Sequence, residues 1–333
     1  MKIGLLLTVY WVSPSGSDFN IGTQNAPFLT VQRSARATTP GDMVIVRDGI
    51  YSATCASTGL NQVDLITSGT AASPITFKAE NYRQAILDSA NTCGYGFKVH
   101  IGANYNIVDG FVIQNQLIGG IQAQGNNDSY LRLEIRNIGN VEDVSTTSAH
   151  VGIITYQASD STLIDSGFIH YIGRTNTLCP DVLCTPRDQN LYLEGTNITV
   201  SNTHIVNKGM GWSMALKVGS GYNIFGDTLE NPAGQERQGQ IVIGDDLHTN
   251  VGNFTIRNMT FIQPQSVAIV ACGAAITGSN SIQDNTASGQ GVVNVFGGDI
   301  CSASTGLTSI VQSNNLVMSE LPFSPSGLIV TAQ

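Results

Sequence analysis

The chain is short of charge. Of its 333 residues only 12% are Asp, Glu, Lys or Arg, and 15 are Lys or Arg, where an average globular domain carries about 25% charged residues. Long solvated helices cover their outer faces with Lys, Glu and Arg. The scarcity argues against a helix-rich enzyme, and polar surface must come from Ser, Thr, Asn, Gln and the 36 Gly, residues of turns and short strands. With a net charge of −9 there is no basic field to hold nucleic acid or an anionic membrane. Long apolar runs are also missing: none reaches the roughly 18 residues that span a bilayer. Gly-x-Ser-x-Gly, a phosphate-cradling Gly loop and His-rich or CxxC metal spacing are all absent, which removes esterase, kinase and zinc-enzyme readings.

What is present is 41% hydrophobic residues, enough for a large core. The six Cys form an even set without metal spacing, so disulfides in an oxidising compartment are expected. Loop closure and neighbourhood in the repeat described next pair them as Cys179–Cys184, Cys272–Cys301 and Cys55–Cys93. Residues 1–9, with Lys2 before a short apolar run, read as a signal-peptide remnant or an added leader.

Internal repetition organises the rest. Short strands closed by Gly recur: Phe97 to Gly102, Gly120 to Gly125, Asn190 to Gly195, Met214 to Gly219, Gln240 to Gly244, Ala268 to Gly273 and Val292 to Gly297. A second column with an Asp or Asn corner follows, as in Asn106 to Phe111, Ile198 to Thr203, Phe254 to Met259 and Ser281 to Thr286. Period-2 alternation over a few residues, uneven loops and a repeat of about 22 to 35 residues fit a solenoid of parallel strands. The expected fold is therefore all-β: a single-domain right-handed parallel β-helix of roughly ten coils. A cap segment with a short helix is placed at 10–42, the β-helix at 43–320 and a covering tail at 321–333. The helix is read over 26–38, with Phe28, Val31 and Ala35 on one face after Pro27.

Three segments carry a family resemblance: Tyr10-Trp11-Val12-Ser13-Pro14-Ser15-Gly16-Ser17-Asp18, Ala26 to Gln32, and Pro40-Gly41-Asp42-Met43-Val44-Ile45-Val46-Arg47-Asp48-Gly49-Ile50-Tyr51. This opening resembles that of secreted bacterial right-handed parallel β-helix proteins of the polysaccharide lyase (pectate lyase-like) superfamily. The resemblance implies a secreted or cell-surface protein with a polysaccharide substrate or ligand. In such lyases a calcium ion or Arg neutralises a uronate carboxylate, and Lys or Arg takes the neighbouring proton.

Alternation places an outward stripe of His100, Gln124, Tyr156, Tyr192, Glu194, Lys217 and Gln240, side chains suited to an extended sugar chain. Arg174 and Arg187 are expected on its rim. Lys217, one of five Lys, precedes Gly219-Ser220-Gly221-Tyr222, a setting similar to that of the catalytic Lys in the alginate and chondroitin lyase branch. Arg237 follows about one coil later, off that branch's strand position, and the branch's paired calcium-binding Glu residues are missing. Hydrolysis instead needs two carboxylates, and Asp245-Asp246 is the adjacent Asp pair. The polygalacturonase motifs that flank such a pair are absent. The leading reading is a lyase on an acidic polysaccharide; the alternatives are a glycoside hydrolase using the Asp pair and a non-catalytic glycan-binding protein.

Overall fold

The computed structural model describes residues 7–57, 59–139, 149–174, 188–207, 211–231, 240–244, 250–262, 267–288, 294–296 and 304–318. Each coil gives one short strand to each of three parallel sheets, and the stack of coils is a right-handed β-helix. Sheet I has eleven strands, from Val9–Val12 to Ile310–Ser313; sheet III has ten, from Gly49–Ser52 to Leu316–Met318. Sheet II has eleven, its main path running from Val63–Leu65 to Asn294–Phe296. The first strand, Val9–Val12, pairs in register with Met43–Val46, so the opening segment already contributes to the stack.

The alternation becomes a core because the same phase recurs at the same register in every coil. In sheet I, Phe77, Val108, Tyr130, Ile164, Val200, Ile224, Ile256 and Ile282 lie one above another, all buried. Sheet II stacks Phe97, Ile121, Ile153, Leu191, Met214, Ile241 and Ile269 in the same way. Side chains inside a parallel solenoid meet their equivalents at about 4.8 Å, so each coil covers the apolar surface of the next.

The Asn and Asp corners have two functions. Asn202 and Asn258 turn the chain with φ of 52° and 55°, the left-handed region that Asn tolerates. Two residues past the sheet I strands, Asn285 and Asn315 build a ladder, the first buried and the second half-buried. Met259 N–H donates to Asn285 Oδ1 at 2.9 Å, Asn285 N–H donates to Asn315 Oδ1 at 3.2 Å, and the amides donate to Ile256 O and Ile282 O. Asp227 occupies this ladder two coils earlier, accepting from Thr203 N–H at 2.7 Å.

Two expectations need correction. The helix covers only Val31–Ala35: Thr30 is its N-cap, its hydroxyl accepting from Arg33 N–H, while Phe28 is extended and bridges to Val12. Backbone bonds from Ser13 N–H to Phe28 O and from Phe28 N–H to Trp11 O hold residues before Thr30 out of the helix. Ile101, which alternation over the segment Phe97 to Gly102 puts inward with Phe97 and Val99, is 74% exposed, because the chain has already turned at His100. Cys55 and Cys93 form the expected disulfide. Cys272 is disulfide-bonded too, while Cys179, Cys184 and Cys301 lie outside the described residues.

Candidate functional site

The outward face of sheet II is a register-aligned row running Asp64, Lys98, Gln122, Ile154, Tyr192, Ala215, Val242 and Val270. Its first five members are partly exposed; the last three are buried with Trp212 and Cys272 in a separate apolar cluster. A polar and aromatic surface therefore covers the earlier coils and ends where Tyr192 meets Lys217.

At the strand-end of this face His100 Nε2 lies 2.8 Å from Asp64 Oδ1, which also accepts from Asn61 Nδ2 at 3.1 Å. Gln122 Nε2 donates to the Tyr156 hydroxyl at 2.7 Å, and Tyr95 hydrogen-bonds to Tyr156 from two coils earlier. Burial pushes the Tyr95 hydroxyl up, with Tyr156 adding to the effect, so its proton is retained for that bond. His100, Gln124, Tyr156 and Tyr192 are all half-buried at this surface, where the stripe places them.

Lys217 sits at a defect. Leu193 pairs with Leu216 and Glu194 with Val218, so Lys217 is the extra residue of a β-bulge in the strand Met214–Ser220. A bulge rotates one side chain away from the regular alternation and is common beside active sites. Expected in the outward stripe, Lys217 is instead buried at 5% exposure beside the bulge, its Nζ 5.5 Å from the centre of the Tyr192 ring. Beneath the bulge the buried Tyr222 hydroxyl bonds to Val218 O at 2.8 Å and Leu193 O at 3.2 Å, bridging the two strands across the irregularity. Burial pushes this hydroxyl up, and Glu194 and Tyr192 reinforce the shift. The next coil is interrupted at the same place: Ile241–Ile243 pairs with the first half of the strand and Asn250–Gly252 with Gly219 and Ser220. Asp245 and Asp246 belong to the segment between these strands and lie outside the described residues, as do Arg187 and Arg237.

Three further expectations differ from the structure. Gln240 does not join the stripe; it is fully buried and its Nε2 donates to Ile262 O at 2.9 Å. It shares a column with Gly120, Gly152 and Asn190, where the bend from sheet III to sheet II turns two consecutive residues inward, as the contact a Gly120 Cβ would make with Ile135 shows. Glu194, expected at the surface, is largely buried beside the bulge. Arg174 is no rim residue: it is 1% exposed, with Nε and Nη2 on the two oxygens of buried Asp188 at 2.9 and 2.8 Å. His150 completes this cluster through N–H and Nδ1 at 3.0 and 3.1 Å from Asp188 Oδ1. Burial pushes the Asp188 carboxyl up, but His150 and Arg174 outweigh it and hold it below the usual range. Nothing in the local sequence marks this trio, or Tyr222, as partners.

Among the described residues no three His, Cys, Asp or Glu side chains converge on a point a metal ion could occupy. No described helix is long and apolar enough to cross a membrane.

Known proteins share this fold. Residues 10–163 match the family described as Pel9A-like, right handed beta helix region. Pectate lyase PEL9 of Emericella nidulans is 31% identical over 84 residues, 25% of this chain and 19% of that protein. The chain thus spans about a fifth of the length of the curated relatives it matches. Among solved structures, pectate lyase Pel9A superposes with a TM-score of 0.57 at 13% identity, covering 95% of this chain and 78% of the other. The lacto-N-biosidase of Eubacterium ramulus superposes at 0.51 with 10% identity, covering 93% and 68%. The fold is that of the pectate lyase-like right-handed β-helices, and it is shared by lyases and glycoside hydrolases alike.

Proposed function

We propose that the protein is a secreted carbohydrate-active enzyme that cleaves an acidic polysaccharide by β-elimination, with the sugar chain lying along the outward face of sheet II. The observation that supports it most is Lys217, lifted out of the strand alternation by the bulge and set against Tyr192 where the polar, aromatic surface ends. Upstream, Tyr156, Gln122, Gln124 and His100 supply ring faces and amides along the path of the chain. Secretion is supported by the Cys55–Cys93 disulfide, which persists in an oxidising compartment.

In this reading the Lys217 amine takes the proton from the carbon next to the uronate carboxylate. The electron pair so released forms a carbon–carbon double bond, and the glycosidic oxygen on the neighbouring carbon leaves and is protonated. Neutralising the carboxylate acidifies that proton, and we assign this to Arg237 and Arg187. Calcium held by carboxylates beyond the described residues is the alternative source of charge.

A second reading is glycoside hydrolysis by Asp245 and Asp246, the adjacent Asp pair in the stretch of sequence that separates Ile241–Ile243 from Asn250–Gly252, the two strands on either side of the interruption of sheet II. A panel of pectate, alginate, chondroitin and neutral glycans separates the two, since elimination yields ultraviolet-absorbing unsaturated ends whereas hydrolysis yields reducing ends without them. Lys217→Ala should cut elimination by at least about a hundredfold with the thermal transition unchanged. Near-wild-type elimination in that variant removes Lys217 as the base; glycan binding without any product supports a non-catalytic module.

A further inference from the structure

The N-terminal end of the rod holds a cavity of about 540 Å³ between the helix Val31–Ala35, the strand Gly49–Ser52 and Gln62–Val63. That volume is in the range of small-molecule sites, about 300–1,000 Å³. It is separated from Lys217 by five strand steps along sheet II, about 24 Å at 4.8 Å per step. Its floor is apolar, with Val63 and Leu87, and its walls include Leu29 and Ile50, which are 41% and 57% exposed. Leu29 and Ile50 thus offer apolar surface to whatever enters the cavity.

Charge gives this cavity its selectivity. Arg33 and Arg36 line it, and the only carboxylate on its wall is Asp18. Both Asp18 oxygens are already engaged: Oδ1 accepts from Leu29 and Thr30 N–H at 2.9 Å, and Oδ2 accepts from the Thr30 hydroxyl at 2.7 Å. Arg33 donates Nε to the Asp18 carbonyl and lies over the Phe28 ring, at 4.6 Å from its centre, without an ion pair. Arg36 is exposed and has no side-chain partner among the described residues. Two guanidinium groups and one carboxylate whose oxygens are already hydrogen-bonded, on a protein with net charge −9, therefore border a hollow with an apolar floor. Guanidinium groups match carboxylates with paired hydrogen bonds.

We propose that this cavity binds a small organic monocarboxylate with an apolar body, its carboxylate on Arg33 and Arg36 and its body against Leu29, Ile50 and Val63. The site is independent of the sugar face. Titration calorimetry with octanoate and with cinnamate tests it, one probe aliphatic and the other aromatic, with cinnamamide and galacturonate as controls. Saturable binding of one equivalent of either acid is expected, with cinnamamide and galacturonate weaker than the better acid by at least about tenfold, the factor a charge-assisted hydrogen bond supports. Arg36→Gln and Ile50→Glu should each weaken the acid, and Lys217→Ala should bind it as the parent does. Arg33→Gln also disturbs the packing on Phe28, so the two exposed substitutions carry the test. Absence of saturable binding by both acids, equal affinity for cinnamamide or galacturonate, or unchanged affinity in Arg36→Gln and Ile50→Glu would overturn the proposal. Loss of binding in Lys217→Ala would place the ligand on the sugar face and overturn it as well.

Discussion

Asp227 offers a direct test of how the corners hold the coils together. It is a buried carboxylic acid in a column that two later coils fill with Asn285 and Asn315, and burial pushes its carboxyl from 3.8 up to about 8, with Asp165 adding to the rise. Thr203 N–H, donating to Oδ1, works against that shift, while Oδ2 has no partner. Because the folded group keeps a proton that the unfolded chain has lost, stability falls as pH rises between these two values and is unaffected below the lower one. Each pKa unit is worth 1.36 kcal/mol, so by pH 7 the loss is about 4 kcal/mol.

Asp227→Asn removes the titration while keeping the Oδ1 acceptor. The ladder also shows where the new amide goes. Asn285 donates to Ile256 O, and Ile256 is the register partner of Ile282; by the same geometry an Asn at 227 reaches Val200 O, since Val200 is the partner of Ile224. Thermal unfolding of the parent and variant across pH is the assay. The variant should melt at least about 5 °C higher near pH 7, and the two curves should converge near pH 4, where both side chains are neutral. A difference that stays constant across this range, or a variant that is less stable near pH 7, would refute the assignment of a neutral buried Asp at this corner.

Tyr222→Phe should cost about 1 kcal/mol by removing the hydroxyl that spans the bulge; if Lys217 is the base, kcat falls while KM holds, whereas a purely structural role lowers only the melting temperature. Asp188→Ala leaves Arg174 buried without its carboxylate and should destabilise by about 3–5 kcal/mol in chemical denaturation. Since Asp188 is held below the usual carboxyl range, the stability it supplies is present above that range and is lost as pH falls through its lowered value. Replacing both Cys55 and Cys93 by Ala opens a link between residues 38 apart in sequence, and a loss of about 4 kcal/mol is expected from loop entropy.

Burial of the stacked Val, Ile, Leu and Phe was legible in the chain because strand alternation is local and the same phase returns every coil. The Asn corners were legible for a similar reason, since Asn258 and Asn202 take a backbone conformation that few other residues accept. The alternation leaves His100, Gln124, Tyr156 and Tyr192 partly exposed as expected, Tyr192 within its strand and the other three one position past the ends of theirs. It failed at Gln240, where the corner between sheets III and II turns two consecutive residues inward and period 2 no longer applies.

By itself the sequence determined the repeat, two of the three strand columns that build each coil and the phase of their core, because each of these follows from propensities within a few residues. Only the tertiary structure decided the side chains on which function turns. The bulge at Lys217 arises from its pairing with Leu193 and Glu194 in the coil before, and Tyr222 meets that bulge from inside. Arg174, Asp188 and His150 come together at a corner across as many as 38 residues of chain. Such contacts depend on how one coil sits on the next, a relation between segments distant in sequence that no local pattern encodes.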